Sequence, residues 1–483
     1  MNTFALDEPT RLALGHQLVE IINSFYSSLP GRPVQLPLEQ RSFAPLSNAM
    51  PEAGADPAII LQEVSAMMIA QGFHVPSANY FGLMNPAPTY VAVLAEALVA
   101  ALNPQLATQN RSQLAAKIED ETVRWIGERV GWQVPFGGTF TSGGNEANFS
   151  ALALALTKHF PGMVEDGVTS IGAQPTLYAS TESHHSLDKS AGLLGLGRKA
   201  LRRIPVTQNV QLDLAQLEST IAKDKVAGHK PFCVVATAGT TNSGAIDEIT
   251  AIAAICRRHS LWLHVDGAYG AAAIFSGQHR HLVNGIQLAD SITIDPHKWL
   301  AMPFAAGVVL TSYPDLLEQT FGTHTPYMPK AHGSTRIDNF KVSTQWSRRM
   351  NSLKLWLTLR VHGRQAYEQH IDRQLELAGW LAKRLDAGEY FELAAPQALP
   401  IINVRAKLSR SATEEQIAAA NTAIVDEVTR SGDRWISVTS VNGRNVIRIM
   451  VISYFTEQKQ LEDLIVAMES AAKKLQAHAS SVR

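Results

Sequence analysis

Between about Tyr90 and Leu310, short apolar runs alternate with segments of helical periodicity, and this alternation limits the possible fold more than any other feature. A short apolar run between two helical segments is typical of a strand that is buried on both faces. Strands and helices that alternate in this way form β-α units, so we predict an α/β protein with a mostly parallel central sheet. The predicted strands are residues 138–141, 176–180, 201–206, 232–237, 261–265, 291–294 and 306–310.

The chain before this region has a different pattern. Leu14, Leu18, Ile21 and Phe25 recur at helical spacing, and a second helical pattern follows a stretch that is rich in proline and glycine. Helices of this kind have little core of their own, so their apolar side chains must pack against another lobe or another subunit. We therefore predict a helical N-terminal arm over residues 1–89.

The chain after the α/β region changes pattern again. Short apolar runs and two helical segments follow residue 362, and Asn442-Gly443 is a typical hairpin turn because both residues tolerate a positive φ. We predict a small α+β lobe with an antiparallel sheet. The expected division is an arm (1–89), a large ligand-binding domain (90–362) and a small C-terminal domain (363–483).

Composition excludes several classes of protein. The 483 residues carry 42 Lys and Arg against 43 Asp and Glu, and this balance argues against a dedicated nucleic-acid or anionic-membrane binder. Cys233 and Cys256 are too few for a disulfide framework or a four-cysteine zinc site, and we expect no metal. The N-terminus does not resemble a secretory signal, so we expect a cytoplasmic protein.

The segment from Ser291 to Leu300 places several polar groups at one strand end. It reads Ser-Ile-Thr-Ile-Asp-Pro-His-Lys-Trp-Leu, so Asp295, His297 and Lys298 follow a buried strand. Ligands of open α/β sheets bind at this edge, and a partly desolvated lysine there can act as an amine nucleophile. Taken alone, however, Lys298 is better explained as a surface lysine just past a strand.

Two further segments are predicted to reach the same edge. Asp266 ends a second buried strand, where its carboxylate can hold a protonated ring nitrogen, although it can also be a structural residue. Gly143 and Gly144 lie between a strand and a helix that begins near Asn145, and such a helix start can bind phosphate. Pyridoxal phosphate has the phosphate, the ring nitrogen and the aldehyde that these three segments require together.

These segments resemble the motifs of the group II pyridoxal-phosphate amino-acid decarboxylases. The motifs are Asp-Pro-His-Lys-Trp, His-Val-Asp-Gly-Ala-Tyr and Thr-Ser-Gly-Gly-Asn-Glu-Ala-Asn, and the resemblance covers nearly the whole chain from Tyr80 onward. It implies the fold of type I pyridoxal-phosphate enzymes, which is similar to aspartate aminotransferase. It also implies pyridoxal 5'-phosphate as cofactor, decarboxylation of an L-amino acid to an amine, and a homodimer with active sites at the subunit interface.

The resemblance also implies roles for individual residues. Lys298 corresponds to the lysine that binds the cofactor covalently, Asp266 to the partner of the pyridine nitrogen and Ala268 to a residue that packs on the ring. His184, in Ser-His-His-Ser, corresponds to the histidine that stacks on the ring. The other cofactor-binding positions that the resemblance implies are Gly144, Asn145, Thr241, Asp295 and His297. Asn145 differs from the hydroxyl residue of many relatives.

The type of reaction depends on a further segment, which follows Lys298 in the sequence and contains Tyr327. Tyr327 follows Lys298 at a spacing similar to that of the family's catalytic loop tyrosine, and we expect it to act as the general acid. Members of the family that form aldehydes often have Phe there, so Tyr327 favours an amine product. Oxidative deamination to an aldehyde, and other pyridoxal-phosphate reactions such as transamination, remain alternatives.

The substrate is less well defined by the resemblance. Ser347 lies in a segment similar to that of the aromatic branch, which favours an aromatic L-amino acid such as DOPA, tyrosine, phenylalanine or tryptophan. Arg448 corresponds to a position where glutamate decarboxylases bind the substrate carboxylate, so an acidic substrate stays open, as does a diamino acid. The expected apolar wall for an aromatic ring consists of Tyr80, Phe81, Leu83 and Met84.

Overall fold

The structure is a computed structural model that describes residues 4–42, 46, 49–323, 325 and 337–481. Within these residues, the chain forms one seven-stranded and one four-stranded sheet. The strands of the large sheet are β1 (Gly137–Thr141), β2 (Pro175–Ser180), β3 (Leu201–Ile204), β4 (Lys230–Thr237), β5 (Trp262–Asp266), β6 (Ser291–Ile294) and β7 (Gly307–Thr311). The strands of the small sheet are β8 (Phe391–Leu393), β9 (Ile401–Ala406), β10 (Ser437–Val441) and β11 (Arg444–Met450).

Helices cover both sheets and form the N-terminal arm. Those before the fifth strand are α1 (Glu8–Ser28), α2 (Pro57–Gln71), α3 (Tyr90–Leu102), α4 (Gln113–Val130), α5 (Gly144–His159), α6 (Met163–Asp166), α7 (Ser186–Leu193), α8 (Leu214–Val226) and α9 (Ile249–His259). The remaining helices are α10 (Asp315–Phe321), α11 (Ser352–Asp386), α12 (Glu414–Thr429) and α13 (Gln458–Ser481). None of the described helices is both long enough and apolar enough to cross a membrane.

The large sheet has the strand order β1-β7-β6-β5-β4-β2-β3. Strands β2 to β6 pair in parallel, whereas β7 runs antiparallel to both of its neighbours, β1 and β6. Every strand except β7 therefore ends at the same edge of the sheet. This arrangement confirms the predicted α/β class with a mostly parallel sheet.

The interior strands are apolar because both of their faces are covered. All residues of β2, β5, β6 and β7 are buried, and α5 lies across the sheet with most of its own residues buried. Strands that are covered on both faces lack the alternation of polar and apolar residues seen in half-exposed strands. The core therefore forms a rigid platform below the edge where the strands end.

The small sheet has the order β10-β11-β9-β8, and all of its pairs are antiparallel. Asn442 and Gly443 have φ values of 48° and 74°, as the predicted hairpin turn requires. A kink at Gly363, with φ 74° and ψ 171°, interrupts α11 at the predicted boundary between the large and small domains.

The arm helices lie on the surface of the chain, where Tyr26 of α1 contacts the rings of Tyr90 and Phe455. Neither α1 nor α2 has a buried residue. Asp7 caps α1 by accepting a hydrogen bond from the Thr10 backbone N–H, and Gln17 donates to Ala58 of α2. Several apolar side chains of the arm, among them Leu18, Ile60, Val64 and Met68, are therefore exposed within a single chain.

Candidate active site

Four segments meet at the edge of the large sheet where its strands end. Gly143 follows β1, His184 follows β2, Asp266 ends β5 and Lys298 follows β6. These residues are far apart in the sequence, but strands that share one direction bring their ends together. Sequence reasoning predicted this edge as the ligand site.

Lys298 is held by a buried carboxylate. Its Nζ lies 3.0 Å from Asp295 Oδ2, and the side chains are 24% and 1% exposed, respectively. The other oxygen, Asp295 Oδ1, is buried and has no hydrogen-bond partner among the described residues. The lysine amine is thus kept in a defined position while remaining accessible from the cleft.

His297 lies next to the Asp295 carboxylate that holds Lys298. Its Nδ1 accepts a hydrogen bond from the Ala306 backbone N–H at 3.0 Å, and its Nε2 lies 3.7 Å from Asp295 Oδ2. Burial lowers the pKa of His297, although the charge of Asp295 opposes this shift. A neutral ring with its proton on Nε2 satisfies both contacts.

The turn between β1 and α5 closely approaches this carboxylate. A Cβ atom placed on Gly144 would lie 2.7 Å from Asp295 Oδ2 and 3.2 Å from the Ala268 Cβ, and one on Gly143 would lie 3.1 Å from His297. Only glycine leaves this space open. Gly144 and Asn145 begin a helix of 16 residues, whose first backbone N–H groups have no partners within the helix and suit a phosphate.

Asp266 is fixed by two donors. Asn148 Nδ2 lies 2.9 Å from Asp266 Oδ2, and the Ala268 backbone N–H donates to Oδ1 at 3.2 Å. The residue is only 5% exposed, so its carboxylate has little contact with water. Such a carboxylate can accept a charge-assisted hydrogen bond from a protonated ring nitrogen.

His184 lies in the turn after β2, and its side chain is exposed in the single chain. Its Nδ1 accepts a hydrogen bond from the Ser186 backbone N–H at 3.1 Å. Partial burial lowers the pKa of His184, the charge of Asp266 opposes this shift and that of Lys298 reinforces it.

Thr241 and Arg448 are joined directly by a hydrogen bond. Arg448 donates from NH1 to the Thr241 carbonyl at 3.1 Å and from Nε to Ser437 Oγ at 3.2 Å. The nearby Tyr80 hydroxyl partly offsets the lowering of the Arg448 pKa by burial. Arg448 therefore uses two of its three nitrogen atoms to hold neighbouring parts of the protein together.

The expected apolar wall needs correction. Phe81 is 0% exposed and belongs to the core cluster around the four-stranded sheet, so it has no surface that a substrate could touch. Tyr80 is 1% exposed and stacks on Trp435 at 5.6 Å, and Met84 is also buried. Leu83, which is 42% exposed, is the member of the four that presents a surface.

Ser347 is exposed and accepts a hydrogen bond from Gln105 Nε2 at 3.2 Å. The next residue, Arg348, is fully enclosed and pairs with Glu119 at 2.6 Å. Ser347 therefore directly precedes a buried ion pair. Tyr327 lies outside the described residues.

Sequence reasoning missed several residues that hold this edge together. Glu146 accepts hydrogen bonds from Ser142 N at 2.7 Å, from Gln345 Nε2 at 2.6 Å and from Thr344 Oγ1, so it joins the glycine turn to the segment that precedes Ser347. Burial alone would raise the pKa of Glu146, but these hydrogen bonds outweigh burial and lower it.

A buried lysine was also missed. Lys354 is 1% exposed, and its Nζ donates to the Ala305 carbonyl at 2.8 Å and pairs with Glu96 at 2.7 Å. Burial lowers the pKa of Lys354, against the opposing effect of Glu96. No local sequence signal distinguishes Lys354 from an exposed helical lysine, because its partners lie far away in the chain.

The groups at this edge fit pyridoxal phosphate. Lys298 supplies an amine for its aldehyde, the glycine turn leaves room for its phosphate and Asp266 can face its ring nitrogen. The unpartnered Asp295 Oδ1 is a buried acceptor that a polar group of a ligand can satisfy. The described residues contain no cluster of His, Cys, Asp and Glu that could hold a metal ion.

Comparison with known proteins identifies the family. Residues 39–407 match the model of the pyridoxal-dependent decarboxylase conserved domain. An aromatic-L-amino-acid decarboxylase of Bacillus atrophaeus is 30% identical over 465 residues, which cover 96% of this chain and 95% of that protein. The human cysteine sulfinic acid decarboxylase is 34% identical over 305 residues, which cover 62% of each chain.

Solved structures show the same fold. Oryza sativa TDC with PLP and tryptamine has a TM-score of 0.91 at 24% identity and covers 98% of this chain and 100% of that one. Mouse CSAD has a TM-score of 0.89 at 24% identity, covering 96% and 99%. The chain thus belongs to the pyridoxal-dependent decarboxylase family and is an enzyme that uses pyridoxal phosphate to decarboxylate an amino acid.

Proposed function

We propose that this enzyme decarboxylates an aromatic L-amino acid to the corresponding amine and CO₂. The observation that carries the reaction is the pairing of Lys298 with Asp295 at 3.0 Å, beside the glycine turn at the sheet edge that also holds Asp266. The contacts of Arg448 carry the choice of an aromatic substrate. Pyridoxal phosphate, when bound, supplies the electron sink that spreads the charge left on the substrate by loss of CO₂.

In this proposal, each residue around the site has a separate role. Lys298 provides the amine that attaches the cofactor, and Asp295 holds that amine in place. Asp266 keeps a proton on the ring nitrogen by accepting a hydrogen bond from it. His184 covers one face of the ring and excludes water from it. Gly144, Asn145, Thr241, Ala268 and His297 complete the cofactor site in this proposal.

Tyr327 is our candidate for the general acid, which donates a proton to the α-carbon of the substrate after CO₂ leaves. Support comes from its spacing after Lys298 and from the resemblance of the surrounding loop to the family's catalytic loop. A tyrosine at this position favours the amine over the aldehyde. The Rhodiola rosea 4-hydroxyphenylacetaldehyde synthase, 26% identical over 488 residues, keeps the aldehyde product as the alternative.

Arg448 favours an aromatic over an acidic substrate. Two of its guanidinium nitrogens already donate to Thr241 and Ser437, and the residue is 6% exposed. An arginine engaged in this way is less able to form a bidentate pair with a second substrate carboxylate. The long match to the Bacillus atrophaeus relative supports the same choice, and Leu83 and Ser347 are our candidates for contacts with the substrate.

CO₂ release from a panel of amino acids tests the substrate. The panel contains L-DOPA, L-tyrosine, L-phenylalanine, L-tryptophan, L-glutamate, L-cysteine sulfinate and L-2,4-diaminobutyrate. We expect an aromatic member to have the highest kcat/KM. A higher kcat/KM for glutamate or cysteine sulfinate, lost in Arg448→Met, would instead show that Arg448 binds an acidic substrate.

We also propose a cytoplasmic homodimer with active sites at the subunit interface. Leu94, Leu98 and Leu102 form an exposed row on α3, with 45%, 48% and 75% of their surface uncovered. The uncovered arm helices add further apolar surface that a second copy of the chain can bury.

A further inference from the structure

A chain of buried hydrogen bonds leads from the middle of the large sheet to Asp266. Trp262 Nε1 lies 2.8 Å from Ser291 Oγ, which lies 2.9 Å from His264 Nδ1. His264 Nε2 is 3.1 Å from Asn148 Oδ1, and Asn148 Nδ2 is 2.9 Å from Asp266 Oδ2. The chain connects β5, β6 and α5, and it ends on the carboxylate proposed to face the cofactor.

The two ends of this chain determine its direction. A carboxylate only accepts hydrogen bonds, so Asn148 must turn its amide nitrogen towards Asp266 and its oxygen towards His264. His264 must then carry a proton on Nε2. At the other end, the Trp262 indole N–H can only donate, which leaves the Ser291 hydroxyl proton free for His264 Nδ1. In this arrangement the donors from Trp262 to Asn148 point towards Asp266, and the Ser291 backbone carbonyl, 3.2 Å from His264 Nδ1, receives no proton from the ring.

Burial keeps the chain in one protonation state. His264 is 0% exposed and Asn148 is 1% exposed, so water does not compete for these contacts. Burial lowers the pKa of His264 to about 4, with Asp266 opposing this shift. A neutral His264 with a single proton on Nε2 is the form that its contacts with Asn148 Oδ1 and the Ser291 hydroxyl require.

The chain does more than connect the strands. Backbone pairs already join β5 to β6 in register, for example His264 with Ser291 and Asp266 with Thr293. A leucine or valine at position 264 would fill the core without requiring partners. A fully partnered polar network below a functional carboxylate therefore needs a reason beyond packing.

We propose that Asn148 and His264 are positioning residues that orient the Asp266 carboxylate towards the ring nitrogen of the cofactor. The donor from Asn148 occupies one side of Oδ2, and the Ala268 N–H occupies Oδ1. The lone pairs that remain are then directed into the site. The inference rests on the proposed role of Asp266 in binding the cofactor.

Equilibrium binding of pyridoxal phosphate to the apoenzyme tests this proposal without any amino-acid substrate. Asn148→Leu keeps the side-chain volume and removes the donor, and we expect the Kd to rise about tenfold or more, as for the loss of a hydrogen bond to a charged group. We expect His264→Phe to raise the Kd as well. His264→Gln, which can both donate to Asn148 and accept from Ser291, should restore most of the affinity.

Two further variants distinguish a loss of Asp266 positioning from a general loss of stability and from an error in the role of Asp266 itself. Tyr178 lies on β2 of the same sheet, and Tyr178→Phe removes its buried hydrogen bond of 2.8 Å to Asp224 of α8. We expect this variant to lower the melting temperature without changing the Kd. Asp266→Ala should weaken binding more than Asn148→Leu. If Asp266→Ala binds normally, the role of Asp266 itself is wrong.

If Asp266→Ala weakens binding but Asn148→Leu stays within about twofold of the wild type, the positioning role is wrong. Equal Kd values for His264→Gln and His264→Phe would also contradict it, because packing alone would then explain the effect. Melting curves of each apoenzyme identify any variant that fails to fold, and the paired His264 variants then decide the test.

Discussion

At the scale of single residues, the site depends on a few charges whose partners are mostly buried. Asp295 holds Lys298 with one oxygen, and its other oxygen has no hydrogen-bond partner in the part of the chain that the structure describes. Asp266 receives two donors. These contacts were not visible in the sequence, although all of the residues named as cofactor ligands came from it. The roles of individual residues stay predictions, and two of them can be tested directly.

The first concerns Lys298. We expect Lys298→Ala to lose the visible absorbance of the bound cofactor and to lower kcat by at least about 100-fold, because the amine that attaches the cofactor is absent. Borohydride reduction followed by mass spectrometry measures covalent attachment. Lys341→Ala, which removes a lysine paired with Glu318 at 3.1 Å, is the matched control. Attachment retained in Lys298→Ala would exclude this role.

The second concerns Tyr327. Replacement by Phe removes the proton donor, so we expect Tyr327→Phe to lower amine formation about 100-fold and to raise aldehyde and peroxide. Chromatography of the amine and aldehyde, with a peroxide assay, measures the partition. Tyr390→Phe in the small domain serves as control. An unchanged amine yield would remove Tyr327 from the reaction.

At the scale of secondary-structure elements, the ends of strands were the most informative part of the sequence. The predicted strand 291–294 matches β6, and the other predicted strands of the large sheet differ from the observed ones by a few residues at their ends. The ends of the strands could be predicted this closely because the buried runs of β-branched residues are bounded by Gly, Pro and Asp. The domain limits at 89 and 362 stay predictions.

The turn between β1 and α5 gives a prediction at this scale. Gly144→Ala places a Cβ 2.7 Å from Asp295 Oδ2, so we expect a loss of about 1–3 kcal/mol in stability and a weaker affinity for pyridoxal phosphate. Gly15→Ala in α1 is the matched control, because nothing lies within 4 Å of its new Cβ. Thermal melting and cofactor titration measure both effects. Equal behaviour of the two variants would show that the turn tolerates a side chain.

At the scale of the whole molecule, the packing of segments that are distant in the sequence affects how stability depends on pH and how two subunits assemble. His370 lies on α11 and lines an apolar cavity of about 570 Å³ together with Tyr26 of the arm and Tyr454 of the small domain. Its Nε2 is buried without a hydrogen-bond partner among the described residues. Three parts of the chain thus determine the surroundings of one titratable group.

Burial lowers the pKa of His370 to about 4, although a contact with the Trp299 backbone opposes the shift. The unfolded chain takes up this proton near pH 6.5 and the folded chain only near pH 4, so stability falls as pH decreases between these values. We expect His370→Phe to reduce the loss of unfolding free energy between pH 7 and pH 5 by about 2 kcal/mol. Denaturant titration at both pH values measures this, and an unchanged pH dependence would contradict it.

The proposed homodimer gives a second prediction at this scale. Leu98→Asp places a charge in the exposed row on α3, so we expect it to shift the protein towards the monomer and to lower activity. Val226→Asp, at a side chain that is 90% exposed on α8, should leave the dimer intact. Light scattering at micromolar concentration measures the mass. A wild-type monomer would exclude the proposed assembly.

The sequence by itself determined the class of the fold, the strands and the residues at their ends, because periodicity and composition are local properties. The tertiary structure decided which of these residues meet. It made β7 antiparallel to its neighbours, and it placed Phe81 in the core around the four-stranded sheet instead of in a substrate wall. It also joined Asn148 to His264 and Asp266. These contacts depend on strand order and on packing between distant segments, which no local pattern encodes.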